Sequence, residues 1–94
     1  MTAPNPPRTT LYLLTTLGCH LCEKAKQQLW PILSHDALVL EEVEIADNPS
    51  WVEAFGTSIP VVSMAKPDKQ ANIGSHLNWP FTSEEVAEWL SSSN

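Results

Sequence analysis

Two cysteines separated by two residues constrain this chain more than any other feature of its sequence. Cys19 and Cys22 follow a short apolar and β-branched segment, residues 9–15, and open an amphipathic segment that ends near Ser34. The first segment has the length and content of a buried strand, and Gly18 breaks it. In the second segment apolar residues recur at helical spacing, at Leu21, Ala25, Leu29, Ile32 and Leu33. The cysteines are therefore predicted to lie where a strand passes into the first turn of a helix.

The next segments continue the alternation of strands and helices. Residues 38–45 have a strand's length and an alternating second half, so the order strand, helix, strand predicts a parallel pair with a right-handed crossover. Pro31 is expected to kink or shorten the first helix because it lacks a main-chain N–H. Asn48 is a candidate cap for a second helix, with Pro49 at its first position and Gly56 after its end.

The last third of the chain predicts two more strands and a closing helix. Residues 59–64 suit a strand that is entered through Pro60, and residues 70–73 suit a short fourth strand after a hairpin at residues 66–69. Thr82-Ser83-Glu84-Glu85 matches a capping box, and the helix after it has an apolar face made by Val86, Trp89 and Leu90. The predicted order is βαβαββα, an α/β (α+β) fold with a four-stranded mixed sheet and three helices. Residues 9–94 form one domain, and residues 1–8 are a flexible N-terminal tail.

The composition excludes two classes of partner. The chain has 94 residues, a net charge of -6 and only five Lys and Arg residues, which are scattered. Nucleic-acid binding depends on clustered basic residues, and the same acidity disfavours an anionic membrane surface. No apolar run approaches the roughly 18 residues of a membrane-spanning helix.

Cysteine usage predicts a reducing location. Residues 1–8 contain three prolines and no apolar core, so they are not expected to be a secretory signal. A secreted disulfide framework usually needs more than two cysteines in so short a chain. The protein is therefore expected to be cytoplasmic.

The placement of the cysteines predicts redox chemistry. A helix start stabilises an anion, so Cys19 is the expected nucleophilic thiolate, and Cys22 is close enough to release the mixed disulfide that Cys19 forms. A positively charged His20 would favour that thiolate further. The alternative is that His20 is an exposed residue at the helix start with no role.

Other uses of the cysteine pair have less support. A buried free cysteine can simply be a small apolar residue. Haem attachment is disfavoured because Glu23, not histidine, follows Cys22. A zinc or iron–sulfur site needs further ligands, and the chain offers only the distant His35 and His76.

Three segments together resemble a known family. Leu11-Tyr12-Leu13, then Gly-Cys-His-Leu-Cys at residues 18–22, then Ser-Ile-Pro-Val-Val at residues 58–62 are similar to the glutaredoxin branch of the thioredoxin superfamily. The resemblance implies a thioredoxin-like fold. It also implies that Pro60 follows a cis peptide bond and packs beside the cysteine pair, and that the backbone of Ile59 pairs with a bound thiol substrate.

The segment before the last helix departs from that pattern. Residues 74–83 lack the paired glycines and the acidic residue through which such proteins bind glutathione. Glutathione therefore stays open as a ligand, and no cofactor beyond the cysteine pair is required. Trp79-Pro80-Phe81 resembles instead a small bacterial group of glutaredoxin-like proteins. Trp79 and Phe81 are expected to anchor the final helix to the sheet, and the other tryptophans to be core or half-buried residues: Trp30, Trp51 and Trp89.

The expected function is thiol–disulfide exchange by a monomer through Cys19 and Cys22. Its partners would be a protein or small-molecule disulfide and an unidentified reductant. Two alternatives remain open. One is a non-catalytic binding module on the same fold, and the other is a dimer that shares an iron–sulfur cluster through Cys19 with glutathione.

Overall fold

The elements follow the predicted order. The computed structural model describes residues 10–36 and 38–92, so the predicted tail at residues 1–8 and the proposed first strand residue Thr9 lie outside the described residues. The elements are β1 (Thr10–Thr15), α1 (His20–Asp36), β2 (Val39–Glu44), a 3-10 turn (Ile45–Asp47), α2 (Pro49–Phe55), β3 (Val61–Ser63), β4 (His76–Asn78) and α3 (Ser83–Ser92). No described helix is both long and apolar enough to cross a membrane.

The strands form one mixed sheet in the order β2-β1-β3-β4. β1 is parallel to β2 and antiparallel to β3, and β3 is antiparallel to β4. The parallel pair is joined by α1, as the sequence predicted. The sheet therefore carries the cysteine pair at the carboxyl end of its central strand β1.

Alternation along β1 divides the core between the two faces of the sheet. Leu11 and Leu13 pack on one face with Ala25 and Leu29 of α1 and with Val86 of α3. The second cluster lies on the opposite face and consists of five buried residues: Leu14, Val43, Ile45, Phe55 and Val61. Successive strand side chains point to opposite faces, so one apolar strand supplies both cores.

Helix α1 is not shortened at Pro31, so that part of the expectation was wrong, whereas the kink stays a prediction. The helix continues to Asp36, and Pro31 is exposed. Its ring does not enter the core, and the missing N–H removes only the hydrogen bond that would reach Gln27. The buried face of α1 compensates for this loss, because packing supplies most of a helix's stability in a folded protein.

The fourth strand is not at residues 70–73, and that prediction was wrong. Asp68 organises those residues into a loop: its carboxylate accepts the N–H groups of Gln70 and Asn72 at 2.9 Å each, and its own N–H donates to the Asn72 carbonyl. Ala71 adopts a left-handed φ of 66°, which no strand contains. The strand that pairs with β3 is β4, where Leu77 lies opposite Val62.

The closing helix begins with the predicted capping box. The Thr82 hydroxyl accepts the Glu85 N–H, and the Glu85 carboxylate accepts the Thr82 N–H, both at 3.1 Å. Phe81 is buried and Trp79 half-buried, with their rings edge to face at 5.1 Å between centroids. Both therefore join the core beneath α3, as expected of an anchor.

The other three tryptophans differ in their exposure to solvent. Trp51 and Trp89 are half-buried as predicted, whereas Trp30 is 69% exposed, so its prediction as a packing residue was wrong. The buried stripe of α1 contains Cys22, Ala25 and Leu29 at spacings of three and four residues. Trp30 follows the last of these directly, so it lies to one side of the stripe.

Candidate functional site

Cys19 caps helix α1 with its sulfur atom. Since α1 begins at His20, Cys19 is the N-cap residue, and Cys22 is the third helical residue. The Cys22 N–H donates to the Sγ of Cys19 at 3.3 Å. This is the hydrogen bond that a serine or aspartate oxygen makes at other helix starts. A sulfur in this position accepts an N–H that has no partner within the helix, and it lies at the positive end of the helix dipole.

The two cysteines are joined and differ in exposure. Their Cα atoms are 5.3 Å apart, and their sulfur atoms form a disulfide. Cys19 is half-buried at the surface, whereas Cys22 is only 3% exposed and belongs to the buried stripe of α1. Leu21, which the sequence placed in that stripe, is 44% exposed because Cys22 takes the inward position in the first turn. Cys19 is therefore the more accessible of the two to an incoming molecule.

The loop before Cys19 is held by Gly18 and by a distant carboxylate. Gly18 has a φ of 79°, a left-handed conformation that suits glycine. Glu44, at the end of β2, accepts the Leu17 N–H through Oε1 and the Ala46 N–H through Oε2, both at 3.0 Å. The Ala46 hydrogen bond is the largest cause that holds the pKa of Glu44 below its ordinary value of 4.5. Glu44 was not singled out in the sequence, where it is one of several glutamates on a strand.

A cavity of about 460 Å³ opens beside the disulfide. Its wall contains both cysteines and His20, and its charged side chains are three glutamates and one lysine: Glu23, Glu42, Glu44 and Lys26. Lys26 Nζ lies 2.7 Å from Glu42 and 3.3 Å from Glu23. The hydrogen bond to Glu42 is the main cause that raises the pKa of Lys26 above 10.5. The cavity thus carries a net negative charge next to the sulfur atoms.

His20, Ile59 and Pro60 lie at different parts of the site. His20 is exposed at the first position of α1 and lines the cavity. The Ile59–Pro60 bond is cis, as the resemblance implied, and Pro60 is buried. β3 pairs with β1 so that Val61 faces Leu14, which puts Pro60 beside the end of β1 and outside the cavity wall. The Ile59 N–H donates to the Phe55 carbonyl at 3.1 Å.

The part of the chain that the structure describes contains no cluster of metal-ligating side chains. No three His, Cys, Asp or Glu side chains within residues 10–36 and 38–92 are grouped to hold a metal ion.

Solved structures share this architecture. An X-ray structure of the structural-genomics target protein XcR50 from X. campestris matches with a TM-score of 0.66 and 27% identity, over 89% of this chain and 99% of that one. A malarial protein matches with a TM-score of 0.62 and 12% identity, over 92% and 97% of the two chains. Thioredoxin 1 from Thermosipho africanus TCF52B matches with a TM-score of 0.58 and 18% identity, over 89% and 92%. These matches show a thioredoxin-like fold.

A match to a family model identifies the family of the chain. The model described as Glutaredoxin-like domain (DUF836) matches residues 10–91, which include the cysteine pair, Pro60 and the capping box of α3. The expected glutaredoxin-like identity is confirmed. The chain has a thioredoxin-like fold with a Cys-x-x-Cys disulfide at the start of its first helix. It belongs to the glutaredoxin-like domain family.

Proposed function

We propose that this protein is a thiol–disulfide oxidoreductase in which Cys19 is the nucleophile and Cys22 the resolving cysteine. The observation that carries the proposal is the asymmetry of the pair. Cys19 is accessible and accepts the helix N–H of Cys22, whereas Cys22 is buried one turn inside. A thiolate at the N-cap gains the hydrogen bond and the helix dipole, so the pKa of the Cys19 thiol should lie below the value of about 8.5 for a free cysteine.

The reaction balances with two electrons and no cofactor. The Cys19 thiolate attacks one sulfur of a substrate disulfide, forms a mixed disulfide and releases the other sulfur as a thiolate, which takes a proton from water. The Cys22 thiol loses its proton and attacks Cys19, which breaks the mixed disulfide and releases the second substrate thiol. The protein is left with the Cys19–Cys22 disulfide, which a thiol reductant returns to two thiols in the reverse sequence. A cytoplasmic monomer in a thiol-rich compartment fits this cycle.

Two further residues have proposed roles in this cycle. The Ile59 carbonyl, held beside the end of β1 by Pro60, would accept an N–H from the backbone of a bound substrate. A charged His20 would favour the Cys19 thiolate and lower the pKa of that thiol. The His20→Gln variant should then raise the pKa of the Cys19 thiol. An unchanged pKa would leave His20 as an exposed residue without a role.

The pH dependence of alkylation tests the nucleophile. In Cys22→Ser, the iodoacetamide reaction rate should report a Cys19 pKa below about 8.5, because only the thiolate reacts. In the matched variant Cys19→Ser, Cys22 should react much more slowly at neutral pH, since it is buried. Equal rates in the two variants, or a Cys19 pKa near 8.5, would contradict the assignment.

Trapping tests the sequence of steps. Reduced Cys22→Ser mixed with bis(2-hydroxyethyl) disulfide should accumulate a mixed disulfide on Cys19, visible by mass spectrometry. The wild type should proceed to its own disulfide and release two thiols. Wild-type protein that remains reduced would identify a non-catalytic binding module. A coloured dimer after anaerobic purification would favour the iron–sulfur alternative.

A further inference from the structure

Helix α1 and the edge strand β2 leave a groove between them that begins at the disulfide. In the described sheet β2 has β1 as its one neighbour, so no further strand covers its outer side. One stripe of the helix and one face of the strand line this α1–β2 groove: Glu23, Lys26 and Trp30 from α1, and Leu40, Glu42 and Glu44 from β2. The spacings of three and four on α1 and of two on β2 show that each set points to one side.

The groove consists of two cavities in line and is long enough for an extended chain. The cavity at the disulfide and a second cavity of about 390 Å³ meet at the Lys26–Glu42 ion pair, which joins helix to strand at 2.7 Å and over which a docked segment would pass. The second cavity reaches Leu38, six residues before Glu44 along the chain. At about 3.3 Å per strand residue, the two positions are roughly 20 Å apart. An extended segment of about six residues that starts at Cys19 would reach the far end.

The half of the groove next to the disulfide is acidic. Its wall holds Glu23, Glu42 and Glu44 against the single ammonium of Lys26. Lys26 contacts Glu23 and Glu42, and the wall keeps a net negative charge, which is part of the charge of -6 on the whole chain. A cationic segment is attracted to such a wall, whereas glutathione, with two carboxylates and one amine, is repelled by it.

The far half of the groove is apolar. Trp30 is 69% exposed there, beside Leu33, Leu38 and Leu40. An exposed tryptophan next to leucines is typical of a protein contact, because its large ring buries much apolar area when a partner covers it. The groove thus changes from acidic to apolar with distance from Cys19.

We infer that the α1–β2 groove docks a basic, extended segment of a protein disulfide substrate, with an apolar side chain about six residues from the reacting cysteine seated at Trp30. The inference rests on the proposed function and names the class of substrate. Such a segment matches the groove in charge, length and polarity order. The disulfide exchange itself is unchanged: the segment holds the substrate sulfur near Cys19 while the two electrons pass from the dithiol to the disulfide.

Matched peptide disulfides test the charge preference. Three ten-residue peptides would each carry one cysteine, as its disulfide with 2-mercaptoethanol, and a leucine six residues further on. Four of the residues between them are lysines in the first peptide, glutamines in the second and glutamates in the third. The second-order rate of their reduction by reduced protein is divided by the rate for bis(2-hydroxyethyl) disulfide, which has no segment to dock. We expect the lysine peptide to react fastest and the glutamate peptide slowest. The difference should shrink between 0.01 and 1 M salt as the screening length falls from about 30 to about 3 Å.

Charge variants locate the preference in the groove. Glu23→Gln with Glu42→Gln should lower the lysine-to-glutamine rate ratio by about two- to fivefold for each charge, the range of exposed ion pairs. Lys26→Met should raise the same ratio. The control is Glu84→Gln with Glu88→Gln on the exposed side of α3, which should leave it unchanged.

Trp30 tests the apolar half. Trp30→Ala should slow all three peptides alike and leave the rate for the small disulfide unchanged, whereas Val52→Ala, an exposed apolar residue on α2, should slow none. Equal rates for the three peptides, a preference for glutamate, or a faster reaction of glutathione disulfide than of the lysine peptide would overturn the inference. A wild type that fails to reduce even the small disulfide would overturn the proposed function instead.

Discussion

Gly18 adopts a backbone conformation that few other residues tolerate, directly before Cys19. Its φ is 79°, and a Cβ built on it would meet no atom within 4 Å. A substitution there is therefore opposed by the backbone alone and not by crowding. This separation of the two effects makes Gly18 a clean site for measuring how much the loop conformation contributes to folding.

Gly18→Ala should lower the free energy of unfolding by about 1–2 kcal/mol, the cost of placing an ordinary residue in the left-handed region. Gly18→Asn should cost less, because asparagine tolerates that region better. Urea denaturation of the three proteins measures both values. If alanine and asparagine are equally tolerated, the loop does not require the left-handed conformation.

Glu44 links the acid stability of the protein to the loop before Cys19. Its folded-state pKa is lowered, first by the Ala46 N–H and further by Thr16 and Leu17. A lowered pKa stabilises the fold above the ordinary value of 4.5, and this stability is lost as the pH falls through the folded-state value. The wild type should therefore exceed Glu44→Gln in free energy of unfolding at pH 7, by a margin that shrinks at pH 3. Urea denaturation at the two pH values measures the margin, and a constant margin would contradict the assigned contacts.

At the scale of elements, α1 contains a proline where a better helix former would fit. Pro31 is exposed, so replacing it removes no core contact. Pro31→Ala should restore the hydrogen bond to Gln27 and raise the free energy of unfolding by about 1–3 kcal/mol. Pro31→Gly restores the same N–H but should gain about 1 kcal/mol less, since glycine is the poorer helix former. Thermal denaturation compares the three, and a loss of stability in Pro31→Ala would show that the ring itself contributes.

Elements defined by local patterns were predicted well, and the one defined by pairing was not. Helix α3 has its capping box in adjacent residues, and β1 has a continuous apolar run, so both are visible in the sequence. β4 has one apolar residue, Leu77, and exists because it pairs with β3. Residues 70–73 contain two apolar residues, so the sequence pattern favours a strand there instead. The Asp68 carboxylate accepts the N–H of Gln70, two residues on, in an Asx turn, and an aspartate that forms such a turn argues against a strand.

Across the whole molecule, stability should follow the sheet order. β1 and β3 are central, whereas β2 and β4 lie at the edges, and β4 has three residues of which two are exposed. Amides of β1 and β3 that bond within the sheet should exchange with solvent only through global unfolding. Those of β4 should exchange faster, through local opening. Hydrogen exchange followed by NMR measures both, and equal protection in β1 and β4 would contradict this order.

The cavity beside the disulfide was predictable only in its local part, whereas the cis bond at Pro60 was predicted from the family resemblance. Cys19, His20 and Cys22 are neighbours in the sequence, and the helix start that positions them has its own pattern. Glu44 and the α1–β2 groove depend on how β2 lies against α1, which no local pattern encodes. Trp30 was misassigned for the same reason: its burial depends on whether the helix has a neighbour on that side.

The N-cap of α1 couples the redox state of the cysteine pair to a single main-chain amide. In most helices the capping atom is an oxygen whose charge is fixed at neutral pH, but here it is the sulfur that the proposed reaction would oxidise and reduce. The amide proton of Cys22 points at that sulfur, so its resonance frequency should respond directly to each electron pair gained or lost. A single ¹⁵N-labelled amide would then serve as a built-in indicator of the redox state, without a dye, a label on the thiol or a coupled enzyme.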